Sequence, residues 1–68
     1  MSPAEARALL DSGALVVDAP VVAALLDVSV WGLYEAVKRG EAPVEPVRVG
    51  RRQKYRVADL RRLLGLES

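Results

Sequence analysis

The feature that most constrains the fold is a break of about three residues between two amphipathic segments. The apolar residues on either side recur at helical spacing, which predicts a buried face on each of two helices. They are Val22, Leu25 and Leu26 before the break and Val30, Leu33 and Val37 after it. Asp27 suits the turn, Ser29 is a good N-cap, and Gly40 ends the second helix after about residues 30–39. Helices joined so closely cannot lie side by side without strain, so the sequence predicts the sharp crossing of a helix-turn-helix.

The N-terminal residues predict a further helix. Ser2-Pro3-Ala4-Glu5 combines an N-cap, a proline in the first turn and a glutamate three residues after the serine, which is the pattern of a capping box. This helix is expected to end at Ser12, just before Gly13. Residues 16–17 then lead into the first helix of the pair, with Asp18 as its N-cap. Residues 1–16 are therefore interpreted as an N-terminal helical extension.

Beyond Gly40 the residue types change from helix formers to strand formers. Pro43 and Pro46 exclude a helix, and residues 47–49 and 55–57 alternate valine or tyrosine with arginine around residues 50–53. This alternation predicts a β-hairpin with its apolar face against the core and its arginines facing solvent. A last short helix is expected over about residues 58–64, ending at Gly65. The chain, residues 1–68, is thus predicted as one α+β domain of three to four short helices and a two-stranded β-hairpin.

The charge is strongly asymmetric, although the formal net charge is only +1. Residues 1–37 carry one arginine and five acids, a net −4, whereas residues 38–68 carry nine cations and four acids, a net +5. The densest cluster has no acid and consists of Arg48, Arg51, Arg52, Lys54 and Arg56. Such asymmetry favours a polyanionic partner, although a solvated charged hairpin would have the same composition.

Several functional classes are excluded by what the sequence lacks. It has no cysteine and no histidine, which removes thiolate nucleophiles, cysteine-bound zinc and the commonest general base. No nucleophile–base pair or phosphate-binding glycine loop can be drawn from the other residues. The longest apolar run, residues 19–26, is too short to cross a bilayer, and the first five residues show no leader pattern. We therefore expect a small intracellular domain that is not an enzyme and that uses no cofactor, metal, membrane or small-molecule substrate.

Six segments stand in a characteristic order along the chain. They are 17–29 (VDAPVVAALLDVS), 33–34 (LY), 38–41 (KRGE), 47–52 (VRVGRR), 55–57 (YRV) and 59–60 (DL). This order resembles the excisionase-like and MerR-like winged-helix DNA-binding family, and the resemblance covers about residues 17–64. It implies a winged helix-turn-helix that binds specific sequences in duplex DNA in the bacterial cytoplasm, at the nucleoid. A chain of this length looks most like a phage or prophage excisionase or a small transcriptional regulator, whose partners include an integrase or further copies of itself.

The resemblance assigns DNA contacts to two elements. Residues 30–39 would be the recognition helix in the major groove, and residues 47–57 a wing on the minor groove and backbone. The expected contacts on and beside the helix are Ser29, Trp31, Tyr34, Glu35, Lys38 and Arg39, and those on the wing are Arg48, Arg51, Arg52, Lys54 and Arg56. Tyr34 would place its hydroxyl on a phosphate, with Lys38 and Ser29 on others. The family frequently has a basic residue where Glu35 stands; the chemistry of base edges gives Glu35 the role of accepting a hydrogen bond from a cytosine amino group.

Other roles for these residues remain open. Tyr34 would also fit beneath the hairpin, and Glu35 would also pair with Arg39 at i+4. Trp31 would contact a base or sugar, complete the core, or form an exposed patch for a partner protein. The second functional class is accordingly a protein-interaction module, docking on an integrase, a polymerase or itself through Trp31 and the acidic N-terminal half.

Overall fold

The computed structural model describes residues 1–66 as four short helices and a three-stranded antiparallel sheet. In chain order the elements are α1 (Pro3–Leu10), β1 (Val16–Asp18), α2 (Ala19–Leu26), α3 (Val30–Lys38), β2 (Pro46–Val49), β3 (Arg52–Arg56) and α4 (Val57–Leu63). The sheet order is β1-β3-β2. The predicted α+β class is confirmed, and the architecture is that of a small winged-helix-like fold.

The turn between α2 and α3 is the one that the sequence predicts. The two helices are bent by 99° across it, within the range of helix-turn-helix motifs. Asp27 takes the left-handed conformation with φ 57°, and the Val28 N–H closes the turn on the Ala23 carbonyl at 3.0 Å. The Ser29 Oγ accepts a hydrogen bond from the Gly32 N–H at 2.9 Å, so the N-cap of α3 is confirmed.

The first helix begins as predicted and is shorter than predicted. The Ser2 Oγ accepts from the Glu5 N–H at 3.2 Å, which caps the N-terminus of α1. The helix ends at Leu10 and not at Ser12. It packs on α2 and places Ala6 and Leu10 in the core, both nearly without solvent contact.

The sequence pattern does not predict strand β1, so its presence in the structure is a correction. Residues 16–17 do not simply lead into a helix but pair with β3, with Val17 opposite Tyr55 and Asp18 opposite Lys54. Asp18 precedes α2 but makes no side-chain cap hydrogen bond, because its carboxylate pairs with Lys54 across the sheet. Three residues are too few to show an alternating pattern, and the partner of this strand lies 38 residues away in sequence, between Val17 and Tyr55. The predicted two-stranded sheet therefore gains a third strand.

The predicted hairpin is present, but its register places different residues on the core side from those that the sequence pattern predicts. Only two residues, 50–51, join β2 to β3, instead of the four predicted, and Val57 begins α4 instead of ending β3. Because the turn has two residues, odd-numbered residues of β2 pair with even-numbered residues of β3. Val47 and Val49 thus lie on the face opposite Tyr55, and Val49 is 57% exposed. Arg48 lies on the same face as Tyr55, beyond the edge of the core.

The core lies between the sheet and the helices and draws on every element except β2. It consists of Ala6, Leu10, Val17, Ala19, Val21, Val22, Ala23, Leu33, Val44, Tyr55, Val57 and Leu60. Of the residues predicted to mark the buried faces of α2 and α3, Val22 and Leu33 are buried and the others are partly buried against this core. In residues 1–66 no single helix is long and apolar enough to cross a bilayer; α2 and α3 together reach that length and composition but are bent.

Candidate nucleic-acid interface

Ion pairing divides the cations of the chain into two equal groups. Five of the ten cations pair with acids: Arg7, Lys54, Arg56, Arg61 and Arg62. The other five have no acid within ion-pair distance in the described part of the chain: Lys38, Arg39, Arg48, Arg51 and Arg52. All five unpaired side chains are exposed. We call them the free cations.

The free cations come from two elements that face each other. Lys38 is the last residue of α3 and Arg39 its C-cap, whereas the other three lie on the hairpin formed by β2 and β3. A groove of about 850 Å³ runs between α3 and the hairpin. Its walls include Tyr34, Lys38, Arg48, Arg51, Arg52 and Gln53. The fold therefore collects four of its five free cations around one open groove.

The exposed face of α3 continues this surface. Trp31 is 72% exposed and Tyr34 is 44% exposed, although both are large side chains of the kind that a domain this small would bury. Trp31, Tyr34 and Lys38 stand at i, i+3 and i+7, so they form a stripe along one side of the helix. The exposure of Trp31 excludes the interpretation in which it completes the core.

Two of the predicted wing contacts are engaged within the protein. Lys54 points to the face of the sheet away from the core and pairs with Asp18 on β1. Arg56 pairs with Asp59 in the first turn of α4, at 3.3 Å between Nη1 and Oδ2. Of the five cations predicted on the wing, Arg48, Arg51 and Arg52 thus remain without an acidic partner in residues 1–66. On the helix side, Glu35 and Arg39 do not pair with each other or with any other charged group that the structure describes. Ser29 already accepts the capping hydrogen bond from the Gly32 N–H.

Two buried polar atoms have no hydrogen-bond partner in residues 1–66: the Oε1 of Gln53, a residue that lines the groove, and the hydroxyl of the buried Tyr55. Burial raises the pKa of the Tyr55 phenol above its ordinary value of 10.0, and the charge of an ionised Tyr34 adds to the increase. Tyr34 itself lines the groove and is 44% exposed, so it is not buried beneath the hairpin. The sequence pattern places Gln53 in a loop, whereas the structure places it on β3. A glycine at the first position of a two-residue turn is the signal in the sequence that indicates this position.

The arrangement offers positive charge, aromatic surface and hydrogen-bond donors, and it offers no metal-binding set. Within residues 1–66, no group of three acidic side chains is placed to hold a metal ion. No protein-family model, no curated protein and no solved structure matches the chain. The resemblance to the excisionase-like and MerR-like family therefore stays a prediction, and the case for a function rests on the geometry described above.

Proposed function

We propose that this protein binds duplex DNA in a sequence-specific way, with α3 in the major groove and the hairpin as a wing on the minor groove and backbone. In this role it acts without catalysis in the bacterial cytoplasm, at the nucleoid. Its biological task would be that of an excisionase or a small transcriptional regulator of a phage or prophage. One chain offers few base contacts, so several copies would bind to repeated or inverted sites.

The observation that carries the proposal is the separation of the free cations from the paired ones. Residues 1–66 contain eight acids, enough carboxylates to pair most of the cations, yet among these residues five cations on α3 and the hairpin stay exposed and without an ion pair. Cations clustered in this way repel one another unless an anion neutralises them. A regularly spaced polyanion such as the DNA backbone neutralises a cluster of this extent, and the release of its counterions favours the complex.

The shape of the surface supports the same ligand. An α-helix fits the major groove of B-DNA, which is about 12 Å wide. When α3 lies there, the hairpin beside it meets the neighbouring backbone, and arginine is the side chain best suited to a narrow minor groove. Tyr34 and Lys38, which line the groove between α3 and the hairpin, would then donate to phosphates.

The direct test is a fluorescence-anisotropy titration of a labelled mixed-sequence duplex at about 50 and about 200 mM salt. We expect tight binding at the lower salt and a loss of orders of magnitude at the higher salt. Reversal of two hairpin charges, Arg51→Glu with Arg52→Glu, should abolish binding while the circular dichroism spectrum stays that of the wild type. Binding by the folded double variant at wild-type affinity would contradict the proposal.

The second candidate function is a protein-interaction module, and the exposure of Trp31 favours it. Tryptophan is among the residues most enriched in the energetic centres of protein interfaces. An integrase, a polymerase or a second copy of the chain would then dock on Trp31. Absence of duplex binding at either salt would favour this candidate, and the charge-reversed variant would then keep its partner.

A further inference from the structure

We propose that Glu35 is a specificity-determining residue that selects for a cytosine at one position of the DNA site. The inference rests on the proposed function, because it assumes that α3 lies in the major groove. It goes beyond that function by assigning the sequence preference to one side chain and by naming the base that the side chain recognises.

Glu35 lies on the side of α3 that is opposite Leu33, and its side chain is partly exposed. Leu33 and Val37, which pack on the core, stand two residues before and two residues after it. At about 100° per residue, each lies about 160° around the helix from Glu35, so the glutamate is placed on the opposite side of the helix from these two residues. Trp31 and Lys38 flank it on the same face, at four residues before and three residues after.

This carboxylate has no partner within the described residues. It is the only acid on α3, and no cation lies within ion-pair distance of it, not even Arg39 one turn later. The other charged residues of α3 and its C-cap, Lys38 and Arg39, are cations. A lone acid in the middle of a positive surface weakens attraction to every polyanion, so it would not serve a protein that binds DNA only through charge.

The hydrogen-bonding groups on the base edges show how a carboxylate regains the affinity for DNA that its charge removes. An ionised carboxylate only accepts hydrogen bonds. In the major groove, cytosine presents an amino donor with no acceptor on the same base, whereas guanine presents two acceptors, thymine an acceptor and a methyl group, and adenine a donor beside an acceptor. A carboxylate therefore gains a hydrogen bond at cytosine and meets repulsion at guanine and thymine. Glu35 discriminates by favouring cytosine and penalising guanine and thymine, and it gains less at adenine, where an acceptor lies beside the donor.

The test compares three proteins in a selection from a randomised duplex library, followed by anisotropy titrations of the enriched and the unselected duplexes. The variant is Glu35→Gln, which keeps the shape and removes the charge. The matched control is Glu41→Gln, which removes the same charge from an exposed residue beyond α3 that forms no described ion pair. Thermal unfolding of all three proteins checks that the fold is kept.

We expect the wild type and Glu41→Gln to enrich the same sites, with one position restricted to cytosine. Replacing that cytosine should weaken both by about tenfold, the size of one base-edge contact. Glu35→Gln should lose the restriction at that position alone and bind unselected duplex about twofold more tightly, because one repulsion with the phosphates is gone. If Glu35→Gln enriches the same sites as the wild type, the role of Glu35 is overturned while the proposed function stands. If none of the three proteins binds duplex at low salt, the proposed function itself is overturned.

Discussion

The salt dependence of DNA binding reports how many cations contact phosphate, and ion pairs within the protein lower the number of cations that are free to do so. Seven cations lie in the recognition helix and wing as predicted from the sequence: Lys38, Arg39, Arg48, Arg51, Arg52, Lys54 and Arg56. Two of these, Lys54 and Arg56, are paired with acids of the same chain, which leaves the five free cations. The double variant Arg51→Gln with Arg52→Gln distinguishes the free cations from the paired ones, because it removes two free cations and leaves every paired cation in place.

The expected magnitudes follow from the counts. Each neutralised phosphate contributes about −0.9 to the slope of log K against log salt, so five contacts give about −4.5 and seven would give about −6.3. Between 50 and 200 mM salt, the slope for five contacts corresponds to a loss of affinity of roughly 500-fold. With two contacts removed, the slope should become about −2.7 and the loss only roughly 40-fold.

The assay is anisotropy with one labelled duplex at four or more salt concentrations. The control is Arg7→Gln with Arg62→Gln, which removes two charges that are paired with Asp11 and Asp59. Both double variants carry the same net charge, so a difference between them reports position and not total charge. Exposed ion pairs contribute at most about 1 kcal/mol each, so the control variant should remain folded.

The control variant should keep the wild-type slope, and only the Arg51/Arg52 variant should change it. Equal slopes for the two double variants would show that DNA senses the total charge of the chain, and the division into free and paired cations would then carry no functional meaning. A wild-type slope near −6 would show that Lys54 and Arg56 leave their acids to reach phosphate.

Four further predictions concern the fold. Tyr55→Phe removes a fully buried hydroxyl that has no described hydrogen-bond partner. We therefore expect the free energy of unfolding to rise by about 1 kcal/mol and the melting temperature to rise by about 4–8 °C. A lower melting temperature would show that the hydroxyl is hydrogen-bonded. Because burial raises the pKa of Tyr55, the folded state holds the phenol proton more tightly than the unfolded state. The free energy of unfolding of the wild type should therefore fall as the pH rises above 10.0, and that of Tyr55→Phe should fall less, as measured by denaturant unfolding. Asp27 has φ 57°, so Asp27→Ala should lower stability by about 1 kcal/mol and Asp27→Gly should not, and equal melting temperatures for the two would contradict the strain. Trp31→Ala should leave the melting temperature nearly unchanged whereas Leu33→Ala, two residues away, should cost about 2–5 kcal/mol; a large loss on changing Trp31 would mean that it supports the core.

The sequence by itself determined the features that depend on neighbouring residues. Ser2 and Ser29 cap their helices with their own hydroxyls, and Asp27 turns the chain between α2 and α3. These interactions span three or four residues, so the residue types that make them are readable from the order of the chain. The sharp helix crossing and the candidate recognition helix follow from the same local pattern.

The tertiary structure decided what depends on residues far apart in sequence. Val17 becomes part of a strand only because Tyr55 lies opposite it, and the register of the hairpin decides that Arg48 and not Val49 shares the face of Tyr55. The same long-range contacts bring Asp18 to Lys54 and so remove one predicted DNA contact from the free cations. Composition fixes how many charges a chain carries. The ion pairs that neutralise some of these charges form only where the fold brings an acid within a few ångströms of a cation, because the Coulomb energy falls with distance, and sequence separation does not indicate that distance.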